Sequence, residues 1–268
     1  MSRRLAFPYA FWMALFVAAP LVIVLFYALT TAEGGFSLEN FFRLRVYIPV
    51  FMRSLWLALI ATVLCLLIGY PAAYILSRET PVMQNTAILL MMLPMWMNFL
   101  LRTYAWMSIL EDQGLINQLL RFLRLPEAHM INTQGAVVLG MVYNYLPFMI
   151  LPVFTIIQKI PRSIVEAAQD LGANSRRVFR KVIFPLSLPG VLSGVTMVFV
   201  PSVSTFVISK LLGGGKQLLL GDLIEMQFLG GAYNLHLGSM ISIVMMAIVL
   251  ISIQIMNRFG SGEDVALL

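Results

Sequence analysis

Six stretches of this chain are long and apolar enough to cross a membrane, and nothing else in the sequence constrains its fold as strongly. They run Ala10–Thr30, Ser54–Ser77, Val82–Leu101, Gly135–Gln158, Val182–Ser209 and Leu237–Asn257. A helix needs about 20 apolar residues to cross the hydrocarbon layer. Backbone N–H and C=O groups find no water there, so each span must satisfy its own bonds as a helix. The expectation is an all-α integral membrane protein, with six transmembrane helices in one domain over residues 1–268. Composition agrees: 60% of residues are apolar and 11% charged, against roughly 25% charged in soluble domains. That excludes a soluble nucleic-acid binder, a disordered tail and a secreted disulfide scaffold. The net charge of +6 fits basic cytoplasmic loops, and no nucleic acid partner is expected. Cys65 is the single cysteine, so no intrachain disulfide can form. His129 and His236 cannot make a zinc site by themselves, and no metal is expected.

The first span follows Met-Ser-Arg-Arg, as in a signal peptide. Its apolar run exceeds the usual h-region of about 7–15 residues, and Thr30-Thr31-Ala32 is a poor cleavage site. It reads as a retained span. With the N-terminus inside, the cytoplasmic segments hold Arg3, Arg4, Arg78, Lys159, Arg162, Arg176, Arg177, Arg180, Lys181 and Arg258, ten of the 18 basic residues. Those segments are short and densely basic, which places both termini in the cytoplasm. On the outer side, Ser37–Leu44 and Gly114–Leu125 read as amphipathic interfacial helices. They serve either as a cap on the bundle or as a docking surface.

The spans hold no Asp, Glu, Lys, Arg or His. Ion-coupled carriers usually carry ionisable groups inside the membrane, so their absence argues against that class. No H-E-x-x-H or G-x-S-x-G motif occurs, so a membrane enzyme has no candidate constellation. Gly213-Gly214-Gly215-Lys216 lacks the Gly at 210 and the Ser or Thr at 217 of a phosphate loop, and reads as a flexible turn. Prolines 20, 71, 94, 147, 152, 189 and 201 lie within the spans and bend helices. Such bends suit a bundle that lines a path, although proline is common in membrane helices.

The longest cytoplasmic segment is Lys159–Lys181. Arg162–Leu171 reads as a helix after Pro161, Gly172 as a C-cap with positive φ, and Asn174 or Ser175 as the next N-cap. Pro185 then opens the fifth span. Ala167 and Ala168 make a flat, closely approachable face beside Glu166. Six Lys and Arg residues would equally suit a hairpin resting on anionic lipid.

Glu166-Ala167-Ala168, three residues, Gly172, nine residues, then an apolar run ending at Pro185 resembles the EAA loop of bacterial ABC importer permeases, E-A-A-x3-G-x9-I-x-L-P. Val182 and Phe184 replace Ile and Leu. Leu67–Ser77, Leu93–Trp106, Gly140–Pro152 and Phe199–Gly215 look like the permeases of spermidine/putrescine importers. The resemblance covers nearly the whole chain. It implies a type I (MetI-like) six-helix permease in the bacterial cytoplasmic membrane, half of a pair with a related second permease. It also implies two copies of a separate ATPase, which binds ATP and Mg, and an external polyamine-binding protein. This chain itself would hold no cofactor and no catalytic residue. Glu166, Ala167, Ala168, Gly172 and Pro185 would couple it to the ATPase.

A polyamine path must offer acceptors or aromatic faces. Trp96, Asn98, Tyr104, Tyr143, Asn144, Tyr145, Ser202, Ser204 and Thr205 are candidates, unless they serve as interfacial anchors or helix-to-helix bonds. Glu111, Asp112, Asp222 and Glu225 lie at the expected outer mouth. Arg102 works against an acidic funnel there, unless it pairs with Glu111 or Asp112. Another cargo (an opine, amino-acid derivative, phosphonate or iron carrier) fits the EAA loop equally well. An ATP-independent channel or carrier does not.

Overall fold

A computed structural model describes residues 7–31 and 35–260. Arg3 and Arg4, on which the orientation partly rests, lie outside the described residues. Among those described, the chain is helical, apart from turns and one isolated bridge between Thr30 and Phe36.

The first rod joins α1 (Phe7–Met13), a π turn (Ala14–Ala18) and α2 (Ala19–Leu29). After α3 (Glu39–Arg43) and a 3-10 turn (Leu44–Tyr47) comes α4 (Ile48–Leu76). Then follow α5 (Pro81–Trp96), α6 (Phe99–Leu110), α7 (Leu115–Phe122) and α8 (Gln134–Lys159). Beyond α8 lie α9 (Arg162–Asp170), α10 (Ser175–Val178), a π turn (Phe179–Ile183) and α11 (Phe184–Ser204). The chain ends in α12 (Val207–Leu212), α13 (Leu220–Phe228) and α14 (Leu235–Gly260).

Five helical stretches are long and apolar enough to cross a membrane, and a sixth crossing exists if one bent pair counts as a span. That pair replaces the straight third span expected over Val82–Leu101. The chain breaks at Met97–Asn98, and the segments on either side meet at 90°. Pro94 has no N–H to continue the ladder, and the Asn98 side chain accepts from Leu100 N at 2.8 Å, restarting a helix. Because α6 continues past Leu101, Arg102 lies within the second arm of this bent pair. The fifth span expected over Val182–Ser209 also differs. It starts earlier, runs on from α10, and breaks at Thr205–Phe206. Pro185 therefore sits inside a longer helix and does not open one.

Both π turns close on the residue before a proline. Ala19 N bonds Ala14 O ahead of Pro20, and Phe184 N bonds Phe179 O ahead of Pro185. A proline ring clashes with the carbonyl four residues back, and the widened turn makes room for it.

The centre is α4, α8 and α11. Met149 of α8 is fully buried between two glycines. A Cβ on Gly69 of α4 would lie 2.9 Å from Met149 Cγ, and one on Gly194 of α11 would lie 2.7 Å from its Sδ. Gly190 similarly faces the Pro152 carbonyl at 2.8 Å. Without a hydrophobic drive between helices in lipid, such small-residue contacts hold bundles together. Ser54 of α4 accepts from Leu220 N at 2.8 Å and pins the start of α13 to this core. The first rod packs chiefly on α14, where His236 donates to the Tyr27 carbonyl at 3.0 Å, and Asn40 of α3 donates to the Ala28 carbonyl at 3.4 Å. Most of the rod's side chains face outward.

Candidate functional site

The α9–α10 hairpin projects from one end of the bundle. No residue of α9 is buried. Its exit is a Schellman motif. Gly172 N donates to Gln169 O at 2.8 Å and Ala173 N to Ala168 O at 3.1 Å, with Gly172 at φ +80°. No atom lies within 4 Å of a Cβ placed on Gly172, so the left-handed turn and not crowding calls for glycine there. Asn174 then caps α10, accepting from Arg177 N at 3.0 Å. Beyond it, Phe179 packs edge-on against Tyr70 and Tyr74 of α4, with ring centroids 5.8 and 5.1 Å apart.

The two alanines do not share a face. Ala168 leans inward with Val165 toward the core, while Ala167 is exposed. Leu171, at the apex, is 89% exposed. Among the described residues Glu166 makes no hydrogen bond or ion pair. It lines a cleft of about 510 Å³ with Arg162 and Gln169 on one side and Arg78, Glu79 and Gln84 on the other. Pro185 lies past the π turn and away from the apex. Thus Glu166, Ala167 and Gly172 stand on the projecting surface, Ala168 supports them, and Pro185 is set apart.

The expected path residues divide in two. Tyr145 of α8 meets the break after α11: its hydroxyl lies 3.5 Å from the Pro201 carbonyl and reaches the Thr205 side chain. Ser202 and Ser204 turn back onto their own helix, to Val198 O at 2.7 Å and Val200 O at 3.2 Å. Asn144 is buried and donates to Gly140 O at 2.8 Å, and its Oδ1 has no partner. The other group is peripheral. Trp96 is 73% and Tyr104 47% exposed, Asn98 is a helix cap, and Tyr143 packs on Trp106.

The expected outer-mouth acids are not a free acidic rim. Asp112 pairs with His129 at 2.7 Å and Glu225 with Lys210 at 3.0 Å. Asp222 is buried and accepts from Leu219 N at 2.9 Å, so it is a helix cap. Burial raises its carboxyl pKa, while Ser209 and the Leu219 N–H pull it down. Glu111 alone is exposed and without an ion pair among the described residues. Arg102 pairs with neither Glu111 nor Asp112; its Nε is buried without a partner.

Three elements escaped the sequence reading: Arg102 within the second arm of the bent pair, the capping role of Asp222, and a hydrogen bond between Gln84 and Gln158. The last had a visible signal, since each is a long amide at the end of an apolar run.

A helical membrane bundle with an exposed hairpin between its central helices α8 and α11 is the architecture of ABC importer permeases. A chain of a bacterial ABC transporter involved in the import of the acidic polysaccharide alginate aligns with a TM-score of 0.80 at 14% identity, over 94% of this chain and 92% of that one. A methionine importer, MetNI, aligns at 0.58 and 18% identity, over 80% and 94%. The chain belongs to the family of binding-protein-dependent transport system inner membrane components, whose model matches residues 28–259. Among curated relatives, the spermidine/putrescine transport system permease protein PotB of Haemophilus influenzae is 38% identical over 89% of this chain and 88% of its own length. PotB of Escherichia coli is 36% identical over 81% and 83%.

Proposed function

We propose that this chain is a permease subunit of an ATP-driven polyamine importer, with spermidine and putrescine as cargo. The observation that carries the reading is the 38% identity, across nearly the full length, to a spermidine/putrescine permease. The projecting hairpin supports the coupling half of it. Its exposed apex of Ala167, Leu171 and Gly172 offers an apolar knob for a cleft on a separate ATPase. That partner would bind ATP and Mg. Two ATPase copies, a second related permease and an external polyamine-binding protein complete the assembly. The hairpin then faces the cytoplasm, as do both termini.

A polyamine carries two or more charges, each costing about 2.5–3.5 kcal/mol at the bilayer centre on insertion scales. A lined path removes most of that cost. The breaks after α5 and α11 suit the task, because irregular backbone at membrane depth belongs where it lines a cavity. Tyr145 and Thr205 supply acceptors beside the second break. The membrane potential favours cation entry by about 2.3 kcal/mol per charge per 100 mV, so ATP chiefly sets direction and steepness.

Labelled spermidine uptake in native cells tests both halves. Deleting the gene should abolish uptake, wild type should restore it, and Gly172→Arg should not, despite normal membrane levels. Unchanged spermidine and putrescine uptake on deletion, with no second importer active, would sink the cargo assignment.

A further inference from the structure

Helix α5 is loosely held, and its attachment is polar. Gln84 is the one buried residue in it, while Val82, Met83, Leu89, Leu90 and Leu93 are exposed. Ala87, Ile88 and Met91 only lean on the core. Gln84 is bonded on both sides. Its Nε2 donates to the Glu79 carbonyl at 2.9 Å and the Ser77 carbonyl at 3.3 Å, closing the end of α4. Its Oε1 accepts from Gln158 Nε2 of α8 at 3.0 Å. Gln158 sits at the other end of the hairpin's root, since α9 begins only four residues later at Arg162. The two amides therefore join the root of the projecting hairpin to the helix that leads into the break at Met97–Asn98.

We infer that Gln84 and Gln158 are positioning residues that pass movement of the α9 hairpin to α5, and so to the bend at Asn98. The inference rests on the coupling role proposed for the hairpin. A paired amide holds a fixed distance and direction, which loose apolar contact does not. With the hairpin pulled by the ATPase, α8 and α5 shift as one body. With the bond gone, α9 moves and α5 stays.

The test uses the assembled importer in liposomes, with spermidine uptake and ATP hydrolysis measured together. Gln84→Leu and Gln158→Leu should assemble and hydrolyse ATP at the wild-type rate but carry about tenfold less spermidine per ATP, the range seen for coupling residues remote from both sites. Gln158→Lys keeps a donor for Gln84 Oε1 and should hold the yield, while Gln158→Glu sets acceptor against acceptor and should lower it. An unchanged yield in both Leu variants, or equal yields for Gln158→Lys and Gln158→Glu, overturns the inference. A second measurement keeps both amides. Spin labels at Met83→Cys on α5 and Ser163→Cys on α9, both exposed, should keep one separation with and without nucleotide. A nucleotide-dependent change in that separation overturns the inference as well. Wild type that hydrolyses ATP yet takes up no spermidine refutes the cargo reading instead, and leaves the label distance readable.

Discussion

At Gly172 the backbone turns through φ +80° with open space where a side chain would stand. Substitution there tests conformation with little steric confusion. Asn tolerates the left-handed region, Ala costs about 1–2 kcal/mol, and β-branched residues cost more. Uptake per unit of membrane protein should fall in the order Gly, Asn, Ala, Val. Equal uptake across the series would separate the turn from coupling. Asp222 makes a different point. Its folded carboxyl binds a proton more tightly than the unfolded one, because burial outweighs the bonds from Ser209 and Leu219. Its contribution to stability is complete below the unfolded pKa of about 3.9 and is lost as pH rises through the folded value. Asp222→Asn keeps an acceptor for Leu219 N and sheds the charge. Thermal melts in detergent should show a flatter pH profile for the variant from pH 4 upward and no lower stability at pH 8. Lower stability of the variant at pH 8 would mean that the ionised form is the stabilising one.

Helix contacts at the centre are governed by glycine. Gly69 and Gly194 bring α4 and α11 against Met149 from opposite sides. Val at either position forces the three helices apart, at about 1–3 kcal/mol for an overpacked core. Folded protein recovered from membranes should drop for each, and Met149→Ala should regain part of the loss at Gly69, where the clash is with side chain. At Gly194 recovery should be smaller, because the Met149 carbonyl stands 3.1 Å away as well. That most of the long apolar runs are helices was legible in the sequence, because a 20-residue apolar run admits only a helix in lipid. The hairpin's turn was legible too, because Gly172 and Asn174 are specific caps. The breaks were not. Val82–Leu101 reads as one apolar run, and only Pro94 with Asn98 four residues on hints at an interruption. Thr205 ends α11 inside an unbroken apolar stretch for the same reason. The partners of the acids were not legible, because charge on a loop says nothing of what it pairs with. His129 lies 17 residues from Asp112 and Lys210 lies 15 from Glu225, and folding brings each pair together.

Across the whole molecule, the parts divide by how firmly they are held. α4, α8 and α11 share the glycine-lined core, while α5 and the first rod leave most of their large apolar side chains exposed. The hairpin hangs from the firm part; one helix break ends the loose α5, and the other lies between α11 and the buried α12. That arrangement suits a permease driven from one end. The central claim is that a partner's ATP hydrolysis, delivered at the hairpin, drives polyamine inward. Proteoliposomes containing the complete importer, its ATPase and its external binding protein test it most directly. Labelled spermidine uptake and ATP hydrolysis should be followed in the same vesicles, for wild type and for Gly172→Arg. The account predicts uptake that requires ATP in wild type, and a Gly172→Arg complex that accumulates no spermidine. Spermidine entry that proceeds equally without ATP, or full ATP-driven uptake by the Gly172→Arg complex, would contradict it.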